Sequence, residues 1–180
     1  GTAIVGISVA RKFCRNRKGV PKDVVVASSA ASPFLVQLGS GSVTTTGYVA
    51  TGNAYANNNV TGGTSSTIGF PVNKSGSTDA HSGVMVLTLV GSNTWVSSSN
   101  GRRNTTDVWS GGGTVTLSGA LDRVNITTVN GTDTFTAGTI NIITRAPQAG
   151  TRSANIALLR GSQLEFINPA YQLLPAPGGH

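Results

Sequence analysis

Residues 121–143, LDRVNITTVNGTDTFTAGTINII, restrict the fold more than any other stretch of this chain. In an extended strand Val124, Ile126 and Thr128 fall on one side, and Arg123, Asn125 and Thr127 on the other. Asn130-Gly131 then offers the two positive-φ positions of a type I′ turn. After a short break TINIIT (Thr139–Thr144) resumes, so the stretch reads as strand, tight turn, strand. Such a pattern builds a scaffold and contains no catalytic equipment. It points to a β-rich protein that is assembled into something or adheres to something.

The rest of the chain agrees with that start. At 180 residues it suffices for one domain with a real core. Charged residues make up only 11%, against roughly 25% in average globular chains, and Gly, Ser, Thr and Asn fill the gap. Thr and Val lose rotamer freedom in helices, while Ser and Asn compete there for backbone hydrogen bonds. The same residues suit strands and turns. The expectation is an all-β fold: a single β-sandwich, jelly-roll-like, flanked by N- and C-terminal arms.

Texture divides the chain into a basic and apolar arm over 1–38, a body over 39–145 and an apolar arm over 146–180. In the first arm Val24–Ala27 and Phe34–Leu38 are candidate strands, and Pro33 between them argues for an edge or a loop. In the body, Asn57–Asn59 and Thr61–Ser66 read as loops, and Ile68–Val72 as a short apolar piece. Val84–Val90 reads as the strongest core strand, apolar on both faces apart from Thr88, so that both are expected to be covered. Gly91-Ser92-Asn93 turns the chain back. Gly101–Asp107 reads as a polar loop, and Gly111–Gly113 as a turn entering TVTLSG with Val115 and Leu117 inward. In the last arm Ala154–Arg160 reads as one helical or extended turn and Leu164–Ile167 as a short strand.

The net charge of +7 is concentrated: residues 1–23 hold Arg11, Lys12, Arg15, Arg17, Lys18 and Lys22 against Asp23. Such a cluster suits phosphate, an acidic protein surface or an anionic lipid, and equally a solvated arm. Cys14 is the only cysteine, which fits synthesis in a reducing cytosol and no disulfide framework. No segment approaches the ~20 apolar residues of a membrane span. The apolar start precedes its charges, the reverse of a signal peptide. The initial Gly matches removal of an initiator Met, so a complete short protein is expected.

Chemistry is sparse. Asp79, Asp107, Asp122, Asp133 and Glu165 are scattered, without the close pair that a glycosidase needs. Asp79-Ala80-His81 puts two metal-ligand types on one side of an extended segment, but a polar loop ahead of a strand is the preferred reading. Neither a catalytic residue, a metal site nor a cofactor is expected. Trp95, Trp109, Tyr48 and Tyr55 are the aromatic candidates for stacking on a sugar, whose hydroxyls neighbouring amides could take. Trp95 reads as core. Trp109, between loops, reads as the surface candidate, with Tyr55 beside the Asn57–Asn59 loop.

TVTLSGALDRVNITTVNGTDTFTAGTINI and, upstream, HSGVMVLTLVGSNTWVSSS resemble the β-sandwich modules of tailed-bacteriophage virion proteins, which occur at tail-fibre ends and in capsid-attached appendages. The resemblance covers residues 81–143 and, more loosely, 43–143. It implies a non-enzymatic virion protein, made in the host cytoplasm, whose partners are capsid or tail proteins of the same particle. It also implies a homo-oligomer, a trimer by analogy with fibres. A capsid decoration (cement) protein and a small fibre both remain open. Both flanks lie outside the module and read as anchors: Arg11, Lys12, Arg15, Arg17, Lys18 and Lys22 toward an acidic capsid surface, Leu158, Leu159, Leu164, Phe166 and Tyr171 toward apolar contacts between subunits. The alternative is a host-receptor domain reading surface glycans through Tyr55, Asn58 and Trp109. Nucleic acid is not an expected partner.

Overall fold

Small polar and apolar residues alternate over stretches of strand length through most of the chain, and strands are what they form. The computed structural model describes residues 4–9, 27–56, 59–145, 151–157 and 164–167, and no helix occurs among them. In chain order the strands are β1 (Ile4–Val9), β2 (Ala27–Ser28), β3 (Phe34–Ser40), β4 (Ser42–Val43), β5 (Val49–Ala56), β6 (Asn59–Ser66) and β7 (Phe70–Val72). There follow β8 (His81–Gly91), β9 (Thr94–Arg103), β10 (Asp107–Thr116), β11 (Arg123–Thr128), β12 (Phe135–Ala137), β13 (Thr139–Arg145), β14 (Thr151–Ala157) and β15 (Leu164–Ile167). An eight-stranded sheet has the order β14-β13-β1-β8-β9-β10-β5-β6. A five-stranded sheet has the order β15-β11-β3-β4, with β7 also on β3, and β12 pairs with β2. The fold is all-β and sandwich-like.

The core lies between the two larger sheets. Met85, Leu87, Trp95, Trp109 and Val115 come from the eight-stranded sheet, and Phe34, Val36, Leu38, Phe70, Val124 and Ile126 from the other. Tyr48 joins them: its hydroxyl accepts the Leu38 N–H at 2.7 Å and its ring meets Phe70 edge-on at 5.0 Å. Burial pushes the Tyr48 phenol up to about 12, against the opposing effect of the Leu38 hydrogen bond. The flanks contribute strands as well. β1 lies between β8 and β13, β14 extends β13, and β15 pairs with β11.

Several sequence expectations need correction. Residues 121–143 are not a hairpin. β11 already pairs with β3 and β15, which occupies both its edges, so the chain leaves that sheet and β13 pairs with β1 and β14 in the other. Asn130 is absent from the positive-φ residues; only Gly131 is left-handed there, at φ 71°. The Asn130 Oδ1 instead accepts the N–H groups of Thr132 and Asp133, an Asx turn. Asp133 accepts the Ser32 N–H at 3.2 Å, and Val129 N–H donates to the Pro33 carbonyl at 2.9 Å. These ties stitch the crossing to residues 29–33 and steer Phe135 into the core against Phe34.

β8 is covered on one face only. Met85 and Leu87 are buried, but Val84 and Val86 remain 37% exposed, so these valines serve strand propensity rather than the core. Residues 61–66, expected as a loop, belong to β6, which pairs with β5 despite its glycines. Gly101 and Arg103 lie in β9, and the turn narrows to Asn104–Thr106, with Asn104 at φ 57°. The turn at Ser92-Asn93 is where it was expected, with φ 42° and 61°. Val115 and Leu117 are buried as expected.

Gly111–Gly113 lie inside β10 rather than in a turn. Glycines serve the inner face here because backbone and an indole come too close for side chains. A Cβ at Gly101 would strike the Ser82 carbonyl and approach the Trp109 Nε1 at 2.7 Å, and one at Gly83 would meet the Trp109 ring at the same distance. Trp109 thus lies against two bare stretches of backbone. Gly101→Ala is expected to lower stability by about 2 kcal/mol through overpacking, read as a drop in the urea midpoint. An unchanged midpoint would contradict this packing.

Candidate functional site

The chemistry-bearing side chains gather at one end of the sandwich. β7 ends at Val72, and the chain runs through Asn73 and Lys74 into a turn closed by Asp79 before His81 opens β8. β9 delivers Arg103 to the same place, and β10 begins there with Asp107. Arg103 is 4% exposed. Its Nη2 donates to Asp107 Oδ2 at 2.6 Å and to Thr61 Oγ1 at 3.4 Å. Its Nη1 donates to Asn73 Oδ1 at 3.1 Å and to Ser75 Oγ at 2.9 Å. Its Nε faces Asp79 Oδ2 at 3.8 Å, an ion pair without a hydrogen bond.

Each carboxylate is further fixed. Burial would raise the Asp79 pKa, but the N–H groups of Ser75 and Gly76, both at 3.0 Å, and the Arg103 charge outweigh it and hold it below the usual value. The hydrogen bond from Arg103, and then that from Thr106, lowers Asp107. His81 Nε2–H donates to the Asn73 carbonyl at 2.8 Å, its ring meeting Phe34 edge-on at 4.9 Å. Burial lowers the His81 pKa to about 4, so the imidazole is neutral at pH 7.

Lys74 and Ser28 resemble a nucleophile and its base, with Nζ 2.7 Å from the Ser28 hydroxyl. Burial pushes the Lys74 pKa down, against the pull of Asp79 and Asp133. The remaining contacts oppose that role. Nζ also donates to the carbonyls of Ser28 and Ala30, which occupies all three ammonium donors. Ser28 Oγ donates to the Ala30 carbonyl at 3.2 Å, and both side chains are buried. The pair clamps β2 to the turn after β7, with Nζ 5.4 Å from the Phe34 ring centroid.

Of the residues singled out in the sequence, Trp109 is 3% exposed in the core, and its ring is closed to a sugar. Gly83 and Gly101 leave room for it inside, which its flanking turn-like residues concealed. Trp95 is core, as expected. Tyr55 is partly buried, and Ser110 Oγ donates to its hydroxyl at 3.3 Å. Leu164 and Phe166 lie in β15, paired with Ile126 and Val124 of β11. Asn58, Arg11, Lys12, Arg15, Arg17, Lys18, Lys22, Leu158, Leu159 and Tyr171 lie outside the described residues. Asp107 and Asp133 have separate partners, Arg103 and Asn130. No group of three metal-ligating side chains occurs among the described residues, and no helix there is long and apolar enough to cross a membrane.

Sequence reading missed Asn73, Lys74 and Arg103. The available signal was Arg103-Asn104-Thr105-Thr106-Asp107, opposite charges flanking a short polar turn.

The other candidate is the outer face of the eight-stranded sheet. Register places Val84, Asn100, Ser110, Asn53 and Gly63 in one row across it, and Val86, Ser98, Gly112, Thr51 and Ser65 in the next. Tyr55 pairs with Val108 and Val60 one row further. Val49 is 73% exposed on this face. It is broad and mostly short in side chains, and Arg102, paired with Val108, brings a positive charge to it.

The polar end carries two predictions. Arg103→Met strands two carboxylates and is expected to cost about 3 kcal/mol or more in urea unfolding. Arg103→Lys recovers only part, because an ammonium cannot span this fork of acceptors; full recovery by Lys would contradict the geometry. The second concerns pH. The His81 contribution is complete above the ordinary value of 6.5 and is lost as pH falls toward 4, on the order of 3 kcal/mol. Asp79 and Asp107, held low, continue the loss below 3.8. The urea midpoint therefore falls between pH 7 and 4.5, and His81→Gln flattens that slope; an identical slope in the variant would refute the assignment.

No protein-family model, no curated protein and no solved structure matches this chain.

Proposed function

We propose that this chain is a non-enzymatic structural protein of a bacteriophage particle, a β-sandwich displayed on the surface and anchored through its flanks to capsid or tail subunits. One observation carries the reading. Asp79, Asp107, Lys74, His81 and Arg103 are buried in contacts with one another and with backbone, which leaves a broad outer sheet face mostly of Ser, Thr, Asn, Gly and Val, with Tyr55 and Arg102 in one row. Such a surface offers contact area rather than reactive groups. The wording of residues 81–143 supplies the particle, and the charge of residues 11–22 supplies an anchor. Decoration protein and small fibre both fit.

The test leaves the sheets intact. Arg11, Lys12, Arg15, Arg17, Lys18 and Lys22 are replaced by Ser, so that β1 and β2 are unchanged. Copies per particle are then counted by mass spectrometry after assembly in the presence of the variant. Loss of about tenfold or more with an unaltered melting temperature is expected. Normal incorporation would rule out this anchor.

A second reading, glycan recognition, rests on Tyr55, which shares the outer face with Asn53 and Ser110. Tyr55→Ala is then expected to weaken cell attachment about tenfold without loss of stability. A wild-type protein silent on a glycan array removes this reading.

A further inference from the structure

Sheet edges separate one strand from the rest. An edge strand exposes unpaired N–H and C=O groups, and proteins blunt such edges with charge, proline or shortness. At one edge of the five-stranded sheet β4 has two residues, and β7 has three with Pro71 among them. At its other edge β15 has four residues and includes Glu165. The eight-stranded sheet ends on one side in β14, which includes Arg152. On the other side it ends in β6, NVTGGTSS, eight residues with no charge and no proline.

We propose that the β6 edge is an interface between two copies of this chain, in which β6 pairs antiparallel with β6 of a second copy and the two eight-stranded sheets become continuous. Three features favour this occupant. Among the described residues no strand pairs with the outer edge of Gly62–Ser66, and the ladder groups of such an edge suit another extended strand. An antiparallel pair of one strand with itself is isologous and closes on a two-fold axis without propagating into a filament. The charge also fits: copies carrying +7 each repel one another, so close approach needs an uncharged strip, and β6 supplies one. The Arg103 guanidinium, which reaches the strand at Thr61, is neutralised by Asp107 and Asp79. A register shift between Ala54 and Tyr55 confines the regular ladder to Gly62–Ser66, where the side chains are at most the size of Thr. Two such edges meet without steric conflict. Val60, 63% exposed, adds an apolar contact beside it.

The proposal goes beyond the particle reading and does not depend on it. A two-fold pair also differs from the trimer that the fibre resemblance implies. The test uses the whole chain at about 200 μM and below, a range chosen because one short ladder is a small interface and binds weakly. Light scattering gives the mass, and hydrogen exchange follows the amides of residues 59–66 through the dilution. A dimer is expected, with β6 protection that falls on dilution. Ser65→Lys, on the exposed face, is expected to raise the dimer dissociation constant at least about tenfold with an unchanged melting temperature. A monomer throughout, an oligomer untouched by Ser65→Lys, or β6 protection independent of concentration would each overturn the proposal. The last result would mean that the chain covers this edge itself.

Discussion

Arg103 places a guanidinium inside a β-sandwich, and one end of the molecule is organised around its N–H groups. It reaches Thr61 on β6, Asn73 and Ser75 on the segment after β7, and Asp107 across the β9–β10 turn. Three segments distant in sequence are thereby fixed to one another. A buried ion pair is weak evidence for stability, because desolvation offsets much of the Coulomb attraction. Its stronger effect is on register. Arg103 opposes Asp107, and that pairing sets Val115 opposite Trp95 and Gly101 opposite Trp109 farther along the ladder. A slip of β10 by one residue would turn Trp109 and Val115 outward and Val108 inward. The polar end therefore keeps the apolar interior in phase.

That role also explains why the cluster is poor catalytic machinery. A reactive carboxylate, imidazole or amine needs an unfilled valence directed at substrate. Lys74 has its three donors filled, and Asp79 accepts two backbone N–H groups in addition to its pairing with Arg103. His81 is neutral, with Nε2 committed to the Asn73 carbonyl. Its Nδ1 has no hydrogen-bond partner, but the atom is buried. Every ionisable group gathered here acts on the protein itself.

The legible parts of this fold were those governed by local chemistry. β-Propensity and turn residues sufficed for the all-β class, for the Ser92-Asn93 turn, and for Val115 and Leu117 inward. Non-local pairing was illegible. Asn130-Gly131 has the wording of a hairpin turn, yet nothing in residues 121–143 indicates that β3 and β15 occupy both edges of β11. Trp109 was misplaced for a related reason. Its nearest sequence neighbours are turn-like, while the space that receives its ring is made by Gly83 and Gly101 on other strands. Arg103 and Asp107 were visible as residues, but their convergence with Asn73 and Asp79 depends on how three strands end together.

The topology also changes what an anchor on this protein can be. Texture alone sets residues 1–38 apart as a basic and apolar arm. β1 instead lies between β8 and β13 in the large sheet, and β2 follows at Ala27 paired with β12. Arg11 to Lys22 fall between these two strands in the sequence. Removing β1 to test the anchor would open the centre of the eight-stranded sheet and confuse unfolding with loss of binding. Changes of charge between the two strands separate these effects.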